Sequence, residues 1–265
     1  MPRVALVTIR FLAVIAAAVF IAAAADPAAA ITNGTSDGDA HPDVGIAISG
    51  DTFCSGTLLS PTVFLTAGHC TAAFASTGQP TFVTFDPSAS PSSVYVTGVA
   101  YTDPSFYNVG PQGLGVPDSV GGDLGVVVLN QPVQLPAYGT LPAQQQPASS
   151  AKALLTIVGY GAQGWTPAPR GRIPVFTFAR TQAPARLINN INQNSDEFVL
   201  VSANPGNGQG GIGPGDSGGP AFLNDTTTIA AIGSHVTSCG CGNAYFSRLD
   251  TPDAQEFIKP FLSSP

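Results

Sequence analysis

The chain has few charged residues, and basic ones are the scarcest. Only 9% of its 265 residues are charged, and 9 Lys and Arg face 16 Asp and Glu, which gives a formal net charge of −7. The basic residues form no cluster, so we expect no nucleic-acid surface. With 44% hydrophobic residues, the chain can build a sizeable core, and the composition does not indicate disorder.

Cysteine is also scarce. The chain has 4 cysteines and no paired C-x-x-C spacing, so the pattern that zinc sites commonly use is missing and we expect no metal site. Cys54 and Cys70 flank an apolar stretch, as a disulfide that staples a hairpin would. A bond between Cys239 and Cys241 is sterically possible, but it closes almost no loop and would add little stability.

Residues 1–30 have the pattern of a secretory signal peptide. A basic start precedes the apolar run FLAVIAAAVFIAAAA (11–25), which is short for a membrane span. We therefore expect a secreted, extracellular protein with no membrane association after signal removal, and disulfides are compatible with that compartment.

Two Ala-x-Ala cleavage sites compete in this segment, one ending at Ala25 and one at Ala30. Cleavage after Ala30 is favoured, because DPAAA makes a good polar-to-small cleavage region. It would leave Ile31 as the mature N-terminus. Cleavage after Ala25 would instead leave 26–30 as a short propeptide.

Short apolar runs bounded by Gly, Pro, Asn or Asp predict many β-strands. The runs lie at 44–49, 62–67, 82–85, 94–101, 124–129, 153–160, 198–203, 220–223 and 228–233. Only 251–262 has helical signals, with Thr251 as N-cap and Pro252 at the first position. The pattern predicts a mostly antiparallel β fold with one terminal helix, and the Pro- and Gln-rich stretch 131–150 predicts a connector between two halves.

Three short motifs together could carry acyl-transfer chemistry. TAGHC holds His69, GGDLGVVVL holds Asp123, and GDSGGP holds Ser217. Such chemistry needs a nucleophile, a base that takes its proton and an acid that orients the base. A lone His is usually structural and a lone Asp after glycines usually a turn residue, whereas GDSGGP rarely arises by chance.

The ordered motifs resemble the chymotrypsin/trypsin family of secreted serine proteases across 31–265. The matching segments are CSGTLLSPTVFLTAGHC, DLGVVVL, IVGYGAQG, GPGDSGGP, IAAIGSHV and AYFSRL. The resemblance implies an all-β fold of two six-stranded antiparallel β-barrels with a C-terminal helix. It implies an N-terminal half, 31–145, with His69 and Asp123, and a C-terminal half, 146–265, with Ser217.

The resemblance also implies the roles of the site residues. His69 would be the general base, Asp123 its orienting carboxylate and Ser217 the nucleophile. The backbone N–H groups of Gly215 and Ser217 would form the oxyanion hole, where a side chain at Gly215 would obstruct the approach. No cofactor is required, the substrates would be proteins or peptides, and we expect a monomer.

By the same resemblance, Asp216 pairs with the ammonium group of Ile31. An isolated buried carboxylate is costly, so a partner for Asp216 is expected. If cleavage falls after Ala30, export itself would create this N-terminus, and no separate activation step would be needed.

The substrate pocket departs from that of trypsin. Gly211 stands where trypsin has the acid that binds Arg or Lys, and Val236 and Ala244 stand where glycines would leave a deep pocket. These residues, with Ser234, imply a narrowed pocket that prefers small apolar side chains. His235 either takes the place of a tryptophan at the rim of the pocket or binds a glutamate side chain of the substrate.

Two further alternatives stay open at this point. The chain could be a non-catalytic binding protein on the same fold, or an esterase that uses the same triad. A cysteine that the family has before the nucleophile is replaced by Gly213, so Cys239 and Cys241 are left to pair with each other or to stay reduced.

Overall fold

The structure is a computed structural model that describes residues 31–108, 120–144, 153–169, 171–188, 197–224, 226–236 and 243–263. The predicted signal peptide, the pair Cys239–Cys241 and the predicted boundary between residues 145 and 146 lie outside these ranges. They stay predictions.

Seventeen strands are described. The first nine are β1 Thr35–Ser36, β2 Val44–Ser49, β3 Thr52–Ser60, β4 Val63–Thr66, β5 Thr81–Thr84, β6 Val96–Thr102, β7 Tyr107–Asn108, β8 Val120–Gly121 and β9 Gly125–Leu129. The others are β10 Leu154–Gly159, β11 Gly164–Ala168, β12 Gly171–Val175, β13 Thr181–Leu187, β14 Phe198–Ser202, β15 Pro220–Leu223, β16 Ile229–Val236 and β17 Ala244–Arg248.

Six strands of the first half close into an antiparallel barrel in the order β2-β3-β4-β9-β6-β5. β2 and β3 form a hairpin whose two-residue loop begins at Gly50, with φ of +56°, a backbone conformation that glycine readily adopts. β2 closes the barrel by pairing with β5, with Ala47 opposite Val83. The inward side chains form buried apolar clusters that include Ile46, Leu65 and Val126.

The second half forms the other six-stranded barrel. Its sheet runs in the order β13-β10-β15-β16-β17-β14, and pairing of β13 with β14 through Arg186 and Ser202 closes it. The prediction of two six-stranded antiparallel barrels is therefore confirmed. β1 pairs with β13 of this second barrel through Thr35 and Gln182, so the N-terminal part of the described chain is bound to the C-terminal barrel.

Two α-helices accompany the barrels. α2, Pro252–Leu262, has the predicted Thr251 cap, whose side chain accepts the N–H of Ala254. The expectation that only the end of the chain is helical is wrong, because α1 spans Gly68–Thr77. No side chain caps the start of α1, so the usual N-terminal signal is missing, although Gly78 ends it in the left-handed conformation. Among the described residues, no helix is long and apolar enough to cross a membrane.

A buried arginine connects the two barrels. Arg180 precedes β13, is 1% exposed, and donates to Asp37 Oδ2 (2.8 Å) and to the carbonyl oxygens of Val44 and Phe85 (both 2.9 Å). Burial raises the pKa of Asp37, but the hydrogen bond and charge of His41 and the charge of Arg180 outweigh burial and hold that pKa below its usual value. Arg180 therefore has an anionic partner inside the protein.

Replacing this arginine should destabilise the fold. Arg180→Met leaves the buried Asp37 without its guanidinium partner, so the free energy of unfolding should fall by about 3–5 kcal/mol. Chemical denaturation measures this change. Arg186→Met, at an exposed position, is the matched control and should cost less than about 0.5 kcal/mol. Equal stability of the two variants would contradict the role of Arg180.

Candidate active site

His69 and Asp123 are neighbours because the strands that precede and follow them are paired. β4 ends at Thr66, shortly before His69 at the start of α1, and β9 begins at Gly125, just after Asp123. Thr66 lies opposite Gly125 in the ladder. The two segments also approach each other closely at Gly68, where an added Cβ would lie 2.9 Å from Leu124 N, so a side chain there would push them apart.

Asp123 is buried and accepts hydrogen bonds from both barrels. The carboxylate receives the backbone N–H of His69 (2.8 Å), lies 3.0 Å from His69 Nδ1, and accepts the hydroxyl of Ser234 in β16. The Asp123 residue is only 2% exposed. A carboxylate held in this way keeps its charge and fixes the orientation of the imidazole ring.

The pKa values of the pair move apart. Burial raises the pKa of Asp123, but the charge and hydrogen bonds of His69 and the hydroxyl of Ser234 outweigh burial and lower it. Burial lowers the pKa of His69, but the charge and hydrogen bond of Asp123 raise it above its usual value. The His69 side chain is 31% exposed, so it can reach a substrate while Asp123 stays covered.

Two consecutive tight turns carry Ser217. A backbone hydrogen bond closes each turn, at 3.0 Å in residues 213–216 and at 2.9 Å in residues 216–219. The third residue of each turn is a glycine, with φ of +90° at Gly215 and +77° at Gly218. Type II turns require this conformation at that position, which explains the spacing of the glycines around Ser217.

The same two glycines lie where no side chain fits. A Cβ on Gly215 would be 2.3 Å from the ring of Phe53, and a Cβ on Gly218 would be 2.2 Å from Thr66 Oγ1. Ser55 Oγ donates to the carbonyl of Gly215 (2.9 Å). The Ser217 loop of the second barrel is therefore packed directly against β3 and β4 of the first.

The residue after Ser217 is tied to the strand that binds Asp123. The N–H of Gly218 donates to the carbonyl of Gly233 (2.7 Å), which directly precedes the Ser234 that binds Asp123. Among the described residues, no hydrogen bond joins Ser217 Oγ to His69. Such bonds are commonly long in unliganded sites and shorten when substrate binds.

The backbone N–H groups of Gly215 and Ser217 have no acceptor within the described part of the chain. Both belong to the glycine-rich turns, and Ser217 is half-buried. Backbone donors that are fixed in direction and lack a partner are suited to bind a developing negative charge. The arrangement can therefore serve as an oxyanion site.

Asp216 points away from this site into the second barrel. It is 0% exposed and accepts the N–H groups of Gly161 (2.8 Å) and Gly213 (2.9 Å). Burial raises the pKa of Asp216 well above its usual value, although both hydrogen bonds oppose this shift. No cationic group pairs with it among the described residues.

Ile31 is buried in the same barrel as Asp216. Its side chain is fully buried in the core of the second barrel, and its backbone N–H donates to Thr181 Oγ1 (2.7 Å). Thr181 lies opposite Gly159, where an added Cβ would be 2.2 Å from Asp216 Oδ1. The described residues contain no hydrogen bond between Ile31 and Asp216, and the contacts that connect them run through Thr181 and Gly159.

Two predicted pocket residues share an apolar wall. Val236 lies opposite Ala244 in the β16–β17 ladder. Ala244 belongs to the core cluster that contains Ile212 and Ile31, and the half-buried Val236 packs against this cluster. Gly211 pairs through both backbone hydrogen bonds with Thr32. This wall contributes no charge that could bind a basic side chain.

His235 belongs to a different cluster. Its ring stacks on Tyr245, with centroids 4.8 Å apart, and meets the edge of Phe198 at 5.3 Å, in the region of Val120 and Leu200. Neighbouring residues in a strand face opposite ways, so His235 and Val236 point apart. The placement gives no support to His235 as a reader of glutamate in the Val236–Ala244 wall.

Cys54 and Cys70 form a disulfide with Cα atoms 6.2 Å apart. It joins β3 to α1, directly beside His69. Their sulfur atoms also lie within 4.8 Å of a ring nitrogen of His69. Because the two sulfurs bind each other, neither is a thiolate that could bind a metal ion at this position.

Two residues that hold the site have no recognisable signal in the sequence. Thr181 binds the Ile31 nitrogen across 150 positions, and Ser55 bridges Gly215 and the N–H of Tyr160. Both are ordinary hydroxyl residues in strands. The one signal in the sequence for the place of Ser55 is its adjacency to Cys54, which was predicted to pair with the neighbour of His69.

A family model described as Trypsin matches residues 32–252, and no curated protein matches the chain in sequence. Similar solved structures include an HL collagenase, with TM-score 0.66, 17% identity and coverage of 89% of this chain and 100% of that chain. Human heparin binding protein has TM-score 0.64, 17% identity and coverage of 89% and 98%.

A scabies mite inactivated protease paralogue, S-D1, has TM-score 0.63, 14% identity and coverage of 89% of this chain and 97% of that chain. At these identities the structural likeness shows the fold alone. The family match, however, extends over most of the chain and includes all three motifs. The chain therefore belongs to the trypsin family of chymotrypsin-like serine proteases.

Proposed function

We propose that the protein is a secreted serine endopeptidase that cleaves peptide bonds through an acyl-enzyme on Ser217. The observation that carries the proposal is the convergence on Asp123. His69 and Ser234 both bind this carboxylate, and the Ser217 loop is tied to the carbonyl next to Ser234.

His69 is the general base in this proposal. Its Nδ1–H is held by Asp123, so Nε2 is left unprotonated in the neutral ring and can take the proton of Ser217. The serine oxygen then attacks the substrate carbonyl, His69 gives the proton to the leaving amine, and water hydrolyses the acyl-enzyme by the reverse sequence.

The N–H groups of Gly215 and Ser217 stabilise the oxyanion of each tetrahedral intermediate. Loss of one such donor costs about 3 kcal/mol in related chemistry. The two turns hold both donors in place before substrate binds, because they are packed tightly against the first barrel. A side chain on either Gly215 or Gly218 would collide with that barrel. This preorganisation supports the assignment of the loop as the oxyanion hole.

The pocket should accept small apolar side chains. Ala244 and Val236 add methyl groups to an apolar wall, and Gly211 supplies no negative charge for Lys or Arg. Substrates would be proteins or peptides, and secretion would follow from the predicted signal peptide.

The fold alone does not make the chain an enzyme, since an inactivated protease paralogue has the same fold. The presence of His69, Asp123 and Ser217 together favours catalysis over a binding role. An esterase with the same triad would turn over esters but leave peptides intact.

We also propose that the chain is active when Ile31 is its N-terminus. The ammonium group of Ile31 would provide the positive charge that the buried Asp216 lacks, next to Thr181. The charge would lower the raised pKa of Asp216 and stabilise the turns that carry Ser217. Signal cleavage after Ala30 would create this state directly.

Cleavage of a diverse peptide mixture tests the reaction and the pocket. The secreted protein should cut after Ala, Val and similar small apolar residues, because the pocket wall is apolar and narrowed. Products are identified by mass spectrometry, and Ser217→Ala is the control that should show no cuts. Cuts after Lys or Arg, or cuts that persist in the control, would contradict the proposal.

Activity should fall in acid with a midpoint set by His69. The base must be neutral, so kcat/KM is lost as pH falls through the His69 pKa, and this pKa is raised above the ordinary value of about 6.5. Asp123→Asn removes the cause of the shift. The midpoint should then move to lower pH, and kcat should drop by roughly 10⁴-fold, as in other Ser-His-Asp enzymes. An unchanged pH profile in Asp123→Asn would exclude this pairing.

Adding one residue before Ile31 tests the activation step. A protein that starts at Ala30 cannot place an ammonium beside Asp216, so its activity should be lower by about 10²-fold or more than that of a protein starting at Ile31. Removal of Ala30 by an aminopeptidase should restore the rate. Equal cleavage rates of the proteins that start at Ala30 and at Ile31 would rule out the pairing. N-terminal sequencing of the secreted protein tests the cleavage site, and the sequence should begin at Ile31, not at Asp26.

A further inference from the structure

His235 is connected to the catalytic carboxylate through one hydroxyl group. Its Nδ1 lies 3.0 Å from Ser234 Oγ, and the same Oγ donates to Asp123 Oδ2. The ring is fixed between Tyr245 and Phe198, so its orientation does not depend on substrate. A fixed ring nitrogen and a fixed carboxylate thus share one hydroxyl.

The number of protons on this hydroxyl decides the direction of each bond. The hydroxyl of Ser234 has one proton, and the hydrogen bond to the anionic carboxylate of Asp123 uses that proton. Ser234 Oγ can then only accept from His235, which requires the neutral ring to carry its proton on Nδ1. Nε2 is buried and has no hydrogen-bond partner among the described residues, which also disfavours a proton there.

We propose that His235 is a positioning residue for the reaction, which donates its Nδ1–H to Ser234 and thereby directs the hydroxyl proton of Ser234 onto Asp123. The result is a continuous series of hydrogen bonds in which His235 donates to Ser234 and Ser234 donates to Asp123. His69 also donates to Asp123. We call the series from His235 to Asp123 the donor chain. This inference rests on the proposed function. It assigns to His235 a task that neither the rim role nor the glutamate-reading role includes.

The donor chain affects His69 through the charge of Asp123. A hydroxyl that is itself polarised by a donor binds a carboxylate more strongly, so it withdraws part of the negative charge that would otherwise act on His69. Without the His235 donor, more of that charge acts on His69, and the pKa of His69 rises. The orientation of the carboxylate is also less well defined, so kcat falls.

Four titratable groups of the described residues lie in the surroundings of the His235 ring. Tyr245 is on β17, Glu197 directly precedes Phe198, and Asp123 and His69 lie beyond Ser234. Burial lowers the pKa of His235, an effect strengthened by the charge of His69 and opposed by that of Asp123. The ring is therefore neutral at the pH where His69 is active, as the donor chain requires.

Three substitutions separate this role from packing. His235→Phe keeps the stacked ring but removes Nδ1–H, His235→Asn keeps an N–H donor near the position of Nδ1, and His235→Gln moves the amide one bond further out. In His235→Phe and His235→Gln, kcat should fall about fivefold, the effect of one neutral hydrogen bond. The acid midpoint of kcat/KM should move to higher pH. His235→Asn should restore both, with KM unchanged throughout.

Two kinetic results would overturn the inference. If His235→Phe keeps the wild-type kcat and pH profile, the donor has no role in the reaction. If KM alone changes, or if His235→Asn is as impaired as His235→Phe with an unshifted profile, the ring serves substrate contact or packing.

Nitrogen-15 NMR of the histidine rings tests the same chain without turnover, in the Ser217→Ala protein. At neutral pH, His235 should be protonated on Nδ1 and bare on Nε2, and adding His235→Phe should raise the pKa of His69. A proton on Nε2 would overturn the inference, because Nδ1 would then accept from Ser234. If the wild type cleaves no peptide but NMR shows the proton of His235 on Nδ1 and the expected change in the pKa of His69, the proposed function is wrong and the inference about His235 is confirmed.

Discussion

The site depends on one buried carboxylate that both barrels bind. Asp123 takes its hydrogen bonds from His69 of the first barrel and Ser234 of the second. A buried charge must be satisfied wherever it lies, so the two barrels are most stable in the relative position that serves Asp123. The Ser217 loop is bonded to Gly233, next to Ser234, and is packed on Phe53 and Thr66 of the first barrel. The proposed catalytic geometry and the packing of the barrels thus share one electrostatic requirement.

A second requirement is close packing at the cleft. Gly215 and Gly218 leave space that Phe53 and Thr66 of the first barrel occupy, so the turns around Ser217 cannot change shape independently of that barrel. Asp216 belongs to the same turns and is held inside the second barrel by the N–H groups of Gly161 and Gly213. Under the proposed activation step, the ammonium group of Ile31 would stabilise these turns from the side opposite the first barrel.

Local signals predicted the parts of the fold that are locally determined. The runs at 44–49 and 220–223 match β2 and β15, because continuous β-branched or apolar residues are buried on both faces. No apolar run in the sequence indicates β13, since its inward residues are threonine, alanine and a single leucine.

The motifs single out His69, Asp123 and Ser217, whereas the contacts of Thr181 and Ser55 join residues more than a hundred positions apart. No local pattern encodes such contacts.

The most direct test of the catalytic account is covalent labelling with a phosphonate that mimics the tetrahedral intermediate. An activated Ser217 should be the one modified residue in a peptide map of the mature protein. His69→Ala should abolish the label, since an unassisted serine hydroxyl is a poor nucleophile. Label on another residue, or equal labelling without His69, would contradict the account.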